Sequence, residues 1–174
     1  RRPVDFARRR TLLEALQAEI AAAPGGDATA LCAELVAGWP DGRVKLYLTH
    51  RALTLRRERP RLFAAGGYRP LDGGGRRAEH LVALARTEGP AAVLVVVPRL
   101  TARLAGLTGR FPLGEAAWDG TWITLPADLA GDYRDRLTGL TLASERRDGR
   151  VVLPAAALLA HFPVALLERA GAAR

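Results

Sequence analysis

The sequence Leu62-Phe63-Ala64-Ala65-Gly66-Gly67-Tyr68-Arg69-Pro70-Leu71 marks the point at which the pattern of apolar residues changes. Before it, apolar side chains recur every three to four residues, as on one face of a helix. After Gly67, short alternating or apolar segments are separated by turn residues, as in β-strands. The chain is therefore predicted to fold as helices before about Gly66 and as mainly antiparallel strands after it.

Three helices are predicted on the N-terminal side of this junction. Asp5 is a candidate N-cap for the first helix and Asp27 for the second, which should end at Gly38. The third helix should continue until Pro60 stops it. The apolar positions of the first helix, which should line one broad face, are Phe6, Leu12, Leu13, Leu16 and Ile20. Those of the third helix are Val44, Tyr47, Leu48, Ala52 and Leu55.

Several short strands are predicted on the C-terminal side, without helices between them. They lie at 68–71, 79–86, 91–97, 121–125, 133–137, 151–153 and 164–167, with a helical turn at 155–160. Segment 91–97 is apolar on both faces, whereas 100–119 has no clear period and is expected to be irregular. This pattern is typical of an antiparallel β-sandwich, so the predicted fold class is α+β, with residues 1–66 as a helical segment and 67–174 as the sandwich.

Composition excludes several classes of protein. With 49% hydrophobic and 25% charged residues the chain is globular, and no apolar run approaches the roughly 20 residues of a membrane span. The net charge of +8 raises the possibility of nucleic-acid binding, but Lys45 is the only lysine and the arginines are scattered. This arginine bias is what a GC-rich genome imposes on its proteins. We expect neither nucleic acid nor a membrane as a partner.

The candidate groups for metal or thiol chemistry are few. Cys32 is the only cysteine, which suits a reducing compartment and predicts a cytoplasmic protein, and its neighbours Leu31 and Leu35 favour a buried helix thiol. His50, His80 and His161 are far apart in sequence, so no metal site or cofactor is expected.

No catalytic residues are predicted within the chain. Asp132 and Asp135 flank Tyr133 and resemble a carboxylate pair for glycoside hydrolysis. On a short strand, however, they would lie on opposite faces, and we interpret both as solvated turn carboxylates. The only serine is Ser144, which excludes a G-x-S-x-G nucleophile elbow.

The first residues, Arg1-Arg2-Pro3-Val4-Asp5-Phe6, look like the second half of a motif whose first half would precede Arg1. Two adjacent guanidiniums, a proline and a helix-capping aspartate could form one wall of a site for a polar ligand. We therefore interpret the chain as a segment of a longer protein. Arg1 and Arg2 are the candidate substrate-binding residues, although they could instead only brace their loop against acidic neighbours.

The opening motif and several later segments together resemble a known family. The later segments are Gly42-Arg43-Val44-Lys45-Leu46, the junction sequence 62–71, Ala78-Glu79-His80-Leu81-Val82-Ala83, Val96-Val97-Pro98-Arg99-Leu100, Asp135-Arg136-Leu137-Thr138-Gly139 and Phe162-Pro163-Val164-Ala165-Leu166-Leu167. In this order they are similar to the C-terminal part of maltooligosyltrehalose synthases, members of the α-amylase superfamily of glycoside hydrolases. Tyr133, which stands where tryptophan is expected, is a departure from the pattern.

The resemblance implies an enzyme whose catalytic half is not in this chain. Such enzymes are intramolecular glucosyl transferases, (1→4)-α-D-glucan 1-α-D-glucosylmutases of trehalose biosynthesis. They isomerise the reducing-end α-1,4 glucosidic bond of a maltooligosaccharide to an α,α-1,1 (trehalose) bond. The catalytic carboxylates would lie on strands of a (β/α)8 barrel preceding Arg1, and residues 1–66 would be the tail of that barrel. Arg1 and Arg2 would follow its last strand.

The resemblance also sets the expected partners. The maltooligosaccharide substrate would bind through the missing barrel, and the remainder of the same chain would pack against this part. The alternative is a non-catalytic carbohydrate-binding β-sandwich module that acts alone. The upstream reading frame distinguishes the two hypotheses, because only the first requires a barrel with carboxylates at its strand ends.

Overall fold

The computed structural model of the chain describes residues 3–105 and 110–171. Its N-terminal part contains four α-helices: α1 (Phe6–Ala22), α2 (Thr29–Ala37), α3 (Arg43–Glu58) and α4 (Pro60–Ala64). The N-cap of α2 is Ala28 and not the predicted Asp27, because the helix begins one residue later; the Asp27 Oδ1 atom instead accepts a hydrogen bond of 2.9 Å from the Thr29 amide. Pro60 occupies the first position of α4, where no amide donor is required. The predicted helices before Gly66 are confirmed.

Gly66 lies at the junction between the last N-terminal helix, α4, and the first strand. A Cβ atom at this position would overlap the carbonyl oxygens of Leu62 and Thr87, so only glycine allows α4 to approach the neighbouring strand this closely. The Arg86 side chain donates a hydrogen bond of 2.9 Å to the Phe63 carbonyl at the end of α4. The junction sequence therefore changes the direction of the chain at the predicted place.

Within the described residues, ten strands follow Gly66 and form two antiparallel sheets. The six-stranded sheet has the order β1 (Gly67–Leu71), β3 (Leu81–Glu88), β4 (Ala91–Pro98), β10 (Ala165–Arg169), β6 (Asp132–Asp135), β7 (Thr141–Ala143). The four-stranded sheet has the order β2 (Gly73–Gly74), β5 (Trp122–Leu125), β9 (Arg150–Pro154), β8 (Glu145–Arg147). All strand pairs are antiparallel, which confirms a mixed fold of helices and antiparallel sheets.

The six-stranded sheet is covered on both faces. On β4, Leu94 and Val96 pack with Ile123 and Leu153 of the four-stranded sheet, whereas Val93 packs with the helices. This explains why segment 91–97 is apolar at every position. The helical side of the core contains Leu16, Cys32, Leu35, Tyr47, Leu55, Leu62, Val93, Leu137, Phe162 and Leu166.

A partly buried ion-pair network also joins α3 to the sheet. The Arg59 Nε atom lies 2.6 Å from the Glu168 Oε1 atom on β10, and the Arg136 guanidinium lies 3.1 Å from Glu168 Oε2. Arg136 also pairs with Glu58 at the end of α3. Because Arg136 and Glu168 each pair with two partners, the network links the end of α3, the loop after β6 and β10.

The structure corrects the sequence analysis in four places. Segment 100–119, expected to be irregular, contains the short helices α5 (Thr101–Ala105) and α6 (Gly114–Trp118). The strand predicted at 133–137 ends at Asp135, and β2, β7 and β8 were not predicted. The first helix does not bury its whole apolar face: Leu16 is fully buried, but Phe6 is 75% exposed.

Among the described helices, none has the length and apolar character needed to cross a bilayer.

Candidate functional site

The predicted substrate-binding residues, Arg1 and Arg2, lie outside the described residues. The motif that they begin can be followed from Pro3 onward. The Asp5 Oδ1 atom accepts a hydrogen bond of 2.9 Å from the Arg8 amide, which confirms Asp5 as the N-cap of α1. Arg8 and Arg9 then face Asp41 and Lys45 across a cavity of about 380 Å³. The first turn of α1 therefore borders a charged cleft against the start of α3.

A larger groove of about 830 Å³ continues between the two helices. We call it the α1–α3 groove; its lining includes Leu13 and Gln17 of α1 and Leu46, His50 and Leu53 of α3. Positions 46, 50 and 53 share one face of α3, opposite the face that buries Tyr47 and Leu55. This second apolar stripe was not predicted from the sequence, although the spacing of seven residues between Leu46 and Leu53 is a signal for it.

Cationic and neutral polar groups surround the apolar floor of the groove. Arg56 and Arg57 line it, and no carboxylate is among its described lining residues. Burial, assisted by the charges of Arg51 and Arg57, lowers the pKa of His50 below its usual value. The Thr54 Oγ1 atom is buried without a hydrogen-bond partner among the described residues. The described lining of this groove therefore lacks the paired carboxylates that glycosidic bond cleavage uses.

A second groove, of about 450 Å³, lies between the helices and the C-terminal end of β4. Trp39 and Phe111 meet there edge to face, with their ring centroids 6.2 Å apart. Most of its other lining residues, such as Val97 and Pro163, are apolar, and Lys45 is one of its few polar residues. This groove can stack an apolar or sugar ring on an indole but offers few hydrogen-bonding groups.

The carboxylate pair considered in the sequence analysis is not a pair in the structure. Asp132 is exposed, as expected, but Asp135 is only 1% exposed, so the interpretation of both as solvated turn carboxylates is wrong for Asp135. Its oxygens accept hydrogen bonds from the amides of Leu137 (3.0 Å) and Leu166 (3.3 Å) and from the Thr138 hydroxyl (2.9 Å). The sequence Asp-Arg-Leu-Thr-Gly permits this turn, in which the side chain bonds the amide two residues later.

Burial raises the pKa of Asp135 above its usual value, against the opposing effect of these hydrogen bonds. Its side chain is fully used in holding the loop 136–140, between β6 and β7. Asp135 therefore acts as a structural group and not as an acid/base catalyst.

Three consecutive carbonyls of this loop accept hydrogen bonds from the helices. Arg51 of α3 donates to the Arg136 carbonyl (2.5 Å), and the Ala28 amide before α2 donates to the Thr138 carbonyl (2.8 Å). The Leu137 carbonyl between them accepts from the Tyr47 hydroxyl and from the Cys32 thiol, whose Sγ atom is 3.7 Å away. The 136–140 loop is thus the main polar contact between the helices and the sheet.

Cys32 belongs to this contact and has no features of a reactive thiol. It is fully buried, as the sequence analysis expected, and burial raises the pKa of its thiol to about 12. The thiolate form that nucleophilic and metal-binding chemistry requires is therefore scarce at neutral pH. Within the described residues, no three His, Cys, Asp or Glu side chains form a group that could hold a metal ion.

Comparison with known proteins identifies relatives along almost the whole chain. It is 33% identical over 169 residues to proteins of two Mycobacterium tuberculosis strains, each assigned by name as a maltooligosyl trehalose synthase. The match covers 97% of this chain but only 16% of each relative. No protein-family model matches the chain.

Solved structures of maltooligosyltrehalose synthase are also similar to the chain. The maltooligosyltrehalose synthase of Arthrobacter ramosus has 32% sequence identity and a TM-score of 0.63, and a point mutant of it has 31% identity and a TM-score of 0.64. Each match covers 97% of this chain and 17% of the solved chain. The chain therefore spans about one sixth of the length of the proteins it matches.

Proposed function

Because the chain resembles a C-terminal part of maltooligosyltrehalose synthases in both sequence and fold, we propose that it belongs to an enzyme of that kind. The observation that carries the proposal is the match at 33% identity over 97% of the chain. The full-length enzyme isomerises the reducing-end α-1,4 glucosidic bond of maltooligosaccharides to an α,α-1,1 (trehalose) bond. It acts in the cytoplasm, as an intramolecular glucosyl transferase.

Under this proposal, catalysis belongs to a (β/α)8 barrel outside the chain. In the α-amylase superfamily, one carboxylate forms a glycosyl-enzyme and a second carboxyl protonates the leaving oxygen and then activates the acceptor. Isomerisation instead of hydrolysis requires that the released glucose be held, turned and recaptured before water enters. Neither the α1–α3 groove nor the groove at the end of β4 is lined by a carboxylate among the described residues, and Asp135 is buried and hydrogen-bonded. The carboxylates of the cleft beside α1 have other partners, since Asp5 caps the helix and Asp41 pairs with Arg43. We therefore assign this chain to scaffold and substrate positioning.

The proposal also assigns roles to the two parts of the chain. Residues 1–66 are the tail of the catalytic barrel, and residues 67–174 form the C-terminal β-sandwich domain. The core shared by the two antiparallel sheets supports the sandwich. Arg1 and Arg2 are the residues we propose for contact with substrate, in the loop after the last barrel strand, where active sites of barrels form. Their planar guanidiniums can donate paired hydrogen bonds to sugar hydroxyls.

The proposal is tested by assaying maltopentaose conversion. The full-length protein should yield a trehalose-ended product, and the isolated 174-residue chain should not exceed a buffer blank. In the full-length enzyme, Arg2→Lys should lower kcat/KM and leave thermal stability unchanged, because lysine keeps the charge but loses the fork geometry. Turnover by the isolated chain would contradict the assignment of catalysis to the barrel. A lower Tm with normal kinetics would show that Arg2 is structural.

The exposed Trp39 favours one alternative, a stand-alone carbohydrate-binding module. Trp39 is 47% exposed beside Phe111, an arrangement that suits stacking against a sugar ring. Against this alternative, residues before Gly66 share a core with the sheet, which a sandwich module would not need. The two proposals differ in the upstream reading frame: a barrel sequence there excludes the module, and a start codon immediately before Arg1 excludes the synthase.

A further inference from the structure

Trp39 and Phe111 form a pair of aromatic rings in the groove at the end of β4, which we call the Trp39 groove. Trp39 is 47% exposed, and neither residue belongs to a hydrophobic core cluster. The two rings meet at an interplanar angle of 79°, so one ring supports the other edge to face. An exposed indole beside an apolar groove has the character of a binding surface.

Hydrogen bonds hold the backbone on both sides of this ring pair. On one side, the Gly42 amide donates a hydrogen bond of 3.2 Å to the Trp39 carbonyl. On the other side, the Nε1 atom of the buried Trp118 donates a hydrogen bond of 3.1 Å to the carbonyl of Pro112, which follows Phe111. Because the rings are held in place before a ligand binds, the entropy cost of binding is reduced.

Lys45 supplies hydrogen-bond donors to the same groove. Its side chain is exposed, and it lines the groove together with Thr101. None of the ion pairs among the described residues includes Lys45, so its ammonium donors are not used within this part of the chain. The groove volume of about 450 Å³ falls within the range of small-molecule sites, roughly 300–1,000 Å³.

A pyranose ring matches this combination of groups. Its C–H bonds form an apolar face that can stack on an indole, and its hydroxyl oxygens accept hydrogen bonds from an ammonium group. We propose that the Trp39 groove is a glucan-binding site, in which Trp39 stacks on one glucose ring of an α-1,4 glucan and Lys45 donates hydrogen bonds to its hydroxyls. The choice of an α-1,4 glucan rests on the proposed function, whose substrate is a maltooligosaccharide. In the full-length enzyme this site would hold part of a glucan chain and raise its effective concentration.

Hydroxyl-radical footprinting of the full-length protein tests the site at the level of single residues. The probe is borohydride-reduced maltopentaose, a linear α-1,4 glucan that lacks a reducing-end glucose and is therefore not isomerised. It should slow the oxidation of Trp39, measured by peptide mass spectrometry, by about threefold or more, because stacking covers the indole face.

Two controls separate binding from radical scavenging by the sugar. Tyr68 on β1 is 61% exposed and does not line the Trp39 groove, so its oxidation rate measures scavenging alone. Sorbitol carries hydroxyls but no ring, and it should slow the oxidation of Trp39 and Tyr68 equally. Selective protection of Trp39 by sorbitol would overturn the proposed stacking on a sugar ring.

Substitution of Lys45 tests its proposed hydrogen bonds. Lys45→Met keeps most of the side-chain length but removes the ammonium, and it should raise the glucan concentration that half-protects Trp39 by about fivefold or more. Lys45→Arg should stay closer to wild type, because a guanidinium also donates. Arg146→Met, which removes a charge at an exposed position of β8, should have no effect. Half-protection that Lys45→Met leaves unchanged would overturn the role of Lys45.

Three further outcomes separate this inference from the proposed function. Without glucan, oxidation of Trp39 as slow as that of the buried Trp118 would show that another part of the polypeptide covers the groove, and would overturn the inference. Equal slowing of Trp39 and Tyr68 by the glucan, in a protein that forms trehalose-ended product, would overturn the site but keep the function. Selective protection of Trp39 in a protein without this activity would keep the site and refute the function.

Discussion

Asp135 is a buried carboxyl that holds a loop in place, although its burial costs free energy of hydration. Its oxygens are bonded to the Leu137 and Leu166 amides and to the Thr138 hydroxyl, so the loop and β10 are held by the same group. Removing a charged carboxylate from water is unfavourable, and these hydrogen bonds offset the cost only in part. The direction of the pKa shift reflects this balance, since burial raises the pKa of Asp135 despite the hydrogen bonds that lower it.

The prediction at the residue scale concerns the pH dependence of stability. Because the pKa of Asp135 is raised in the folded state, the native chain binds its proton more tightly than the unfolded chain does. This stabilising contribution is fully present below the usual aspartate pKa, about 4, and is lost as pH rises through the native pKa. Asp135→Asn cannot ionise, so its free energy of unfolding should increase relative to wild type as pH rises.

Urea unfolding at a series of pH values measures this difference. Asp132→Asn, at an exposed position of the same strand, is the matched control. A difference between Asp135→Asn and wild type that is constant across pH, or that falls as pH rises, would show that burial is not the dominant influence on this carboxyl.

At the scale of elements, the 136–140 loop decides how the helices sit on the sheet. Gly139 lies against the backbone at Gly26, and a Cβ atom there would overlap the Gly26 carbonyl oxygen. Gly139 also has a φ of +81°, in the left-handed region that favours glycine. Both the conformation and the close approach therefore require glycine at this position.

The prediction at this scale compares two glycines. Gly139→Ala should lower the free energy of unfolding by about 3 kcal/mol or more, since backbone strain and overpacking add. Gly25→Ala shares a positive φ of +60° but has no atom within 4 Å of the added Cβ, so it should cost only about 1 kcal/mol. Denaturant unfolding of both variants checks the difference. Equal losses would mean that the contact between residues 26 and 139 can relax freely.

At the scale of the whole molecule, the helices and the sheets depend on each other. Val93, Leu137, Phe162 and Leu166 belong to the same core as the helix residues Leu16 and Tyr47. If residues 1–66 were absent, one face of the six-stranded sheet would meet water. The proposed division at Gly66 therefore separates two kinds of secondary structure that share a buried interface.

The whole-molecule prediction follows from this shared core. The 174-residue chain should unfold in a single cooperative transition, and residues 67–174 expressed alone should lose that transition or aggregate, because their apolar face is exposed. Thermal unfolding followed by both far-UV and near-UV circular dichroism checks this. A truncated chain that melts cooperatively near the Tm of the longer one would show that the sheets fold independently of the helices.

The sequence by itself determined the features that depend on local periodicity and on backbone chemistry. The change of period at Gly66, the N-cap at Asp5 and the buried position of Cys32 all followed from neighbouring residues. The sequence also showed that segment 91–97 is apolar on both faces, which fits its burial on both sides in the structure. These properties depend on residues that are close together in sequence, so short stretches of the chain are enough to predict them.

Only the tertiary structure decided which surfaces are covered. It buried Asp135, because β10 and α3 converge on the 136–140 loop from distant parts of the chain. It placed the last strand of the chain in the middle of the six-stranded sheet, and it left Phe6 and Leu53 exposed although both are apolar. Periodicity shows that a residue is apolar and on which face it lies, whereas burial depends on what packs against that face.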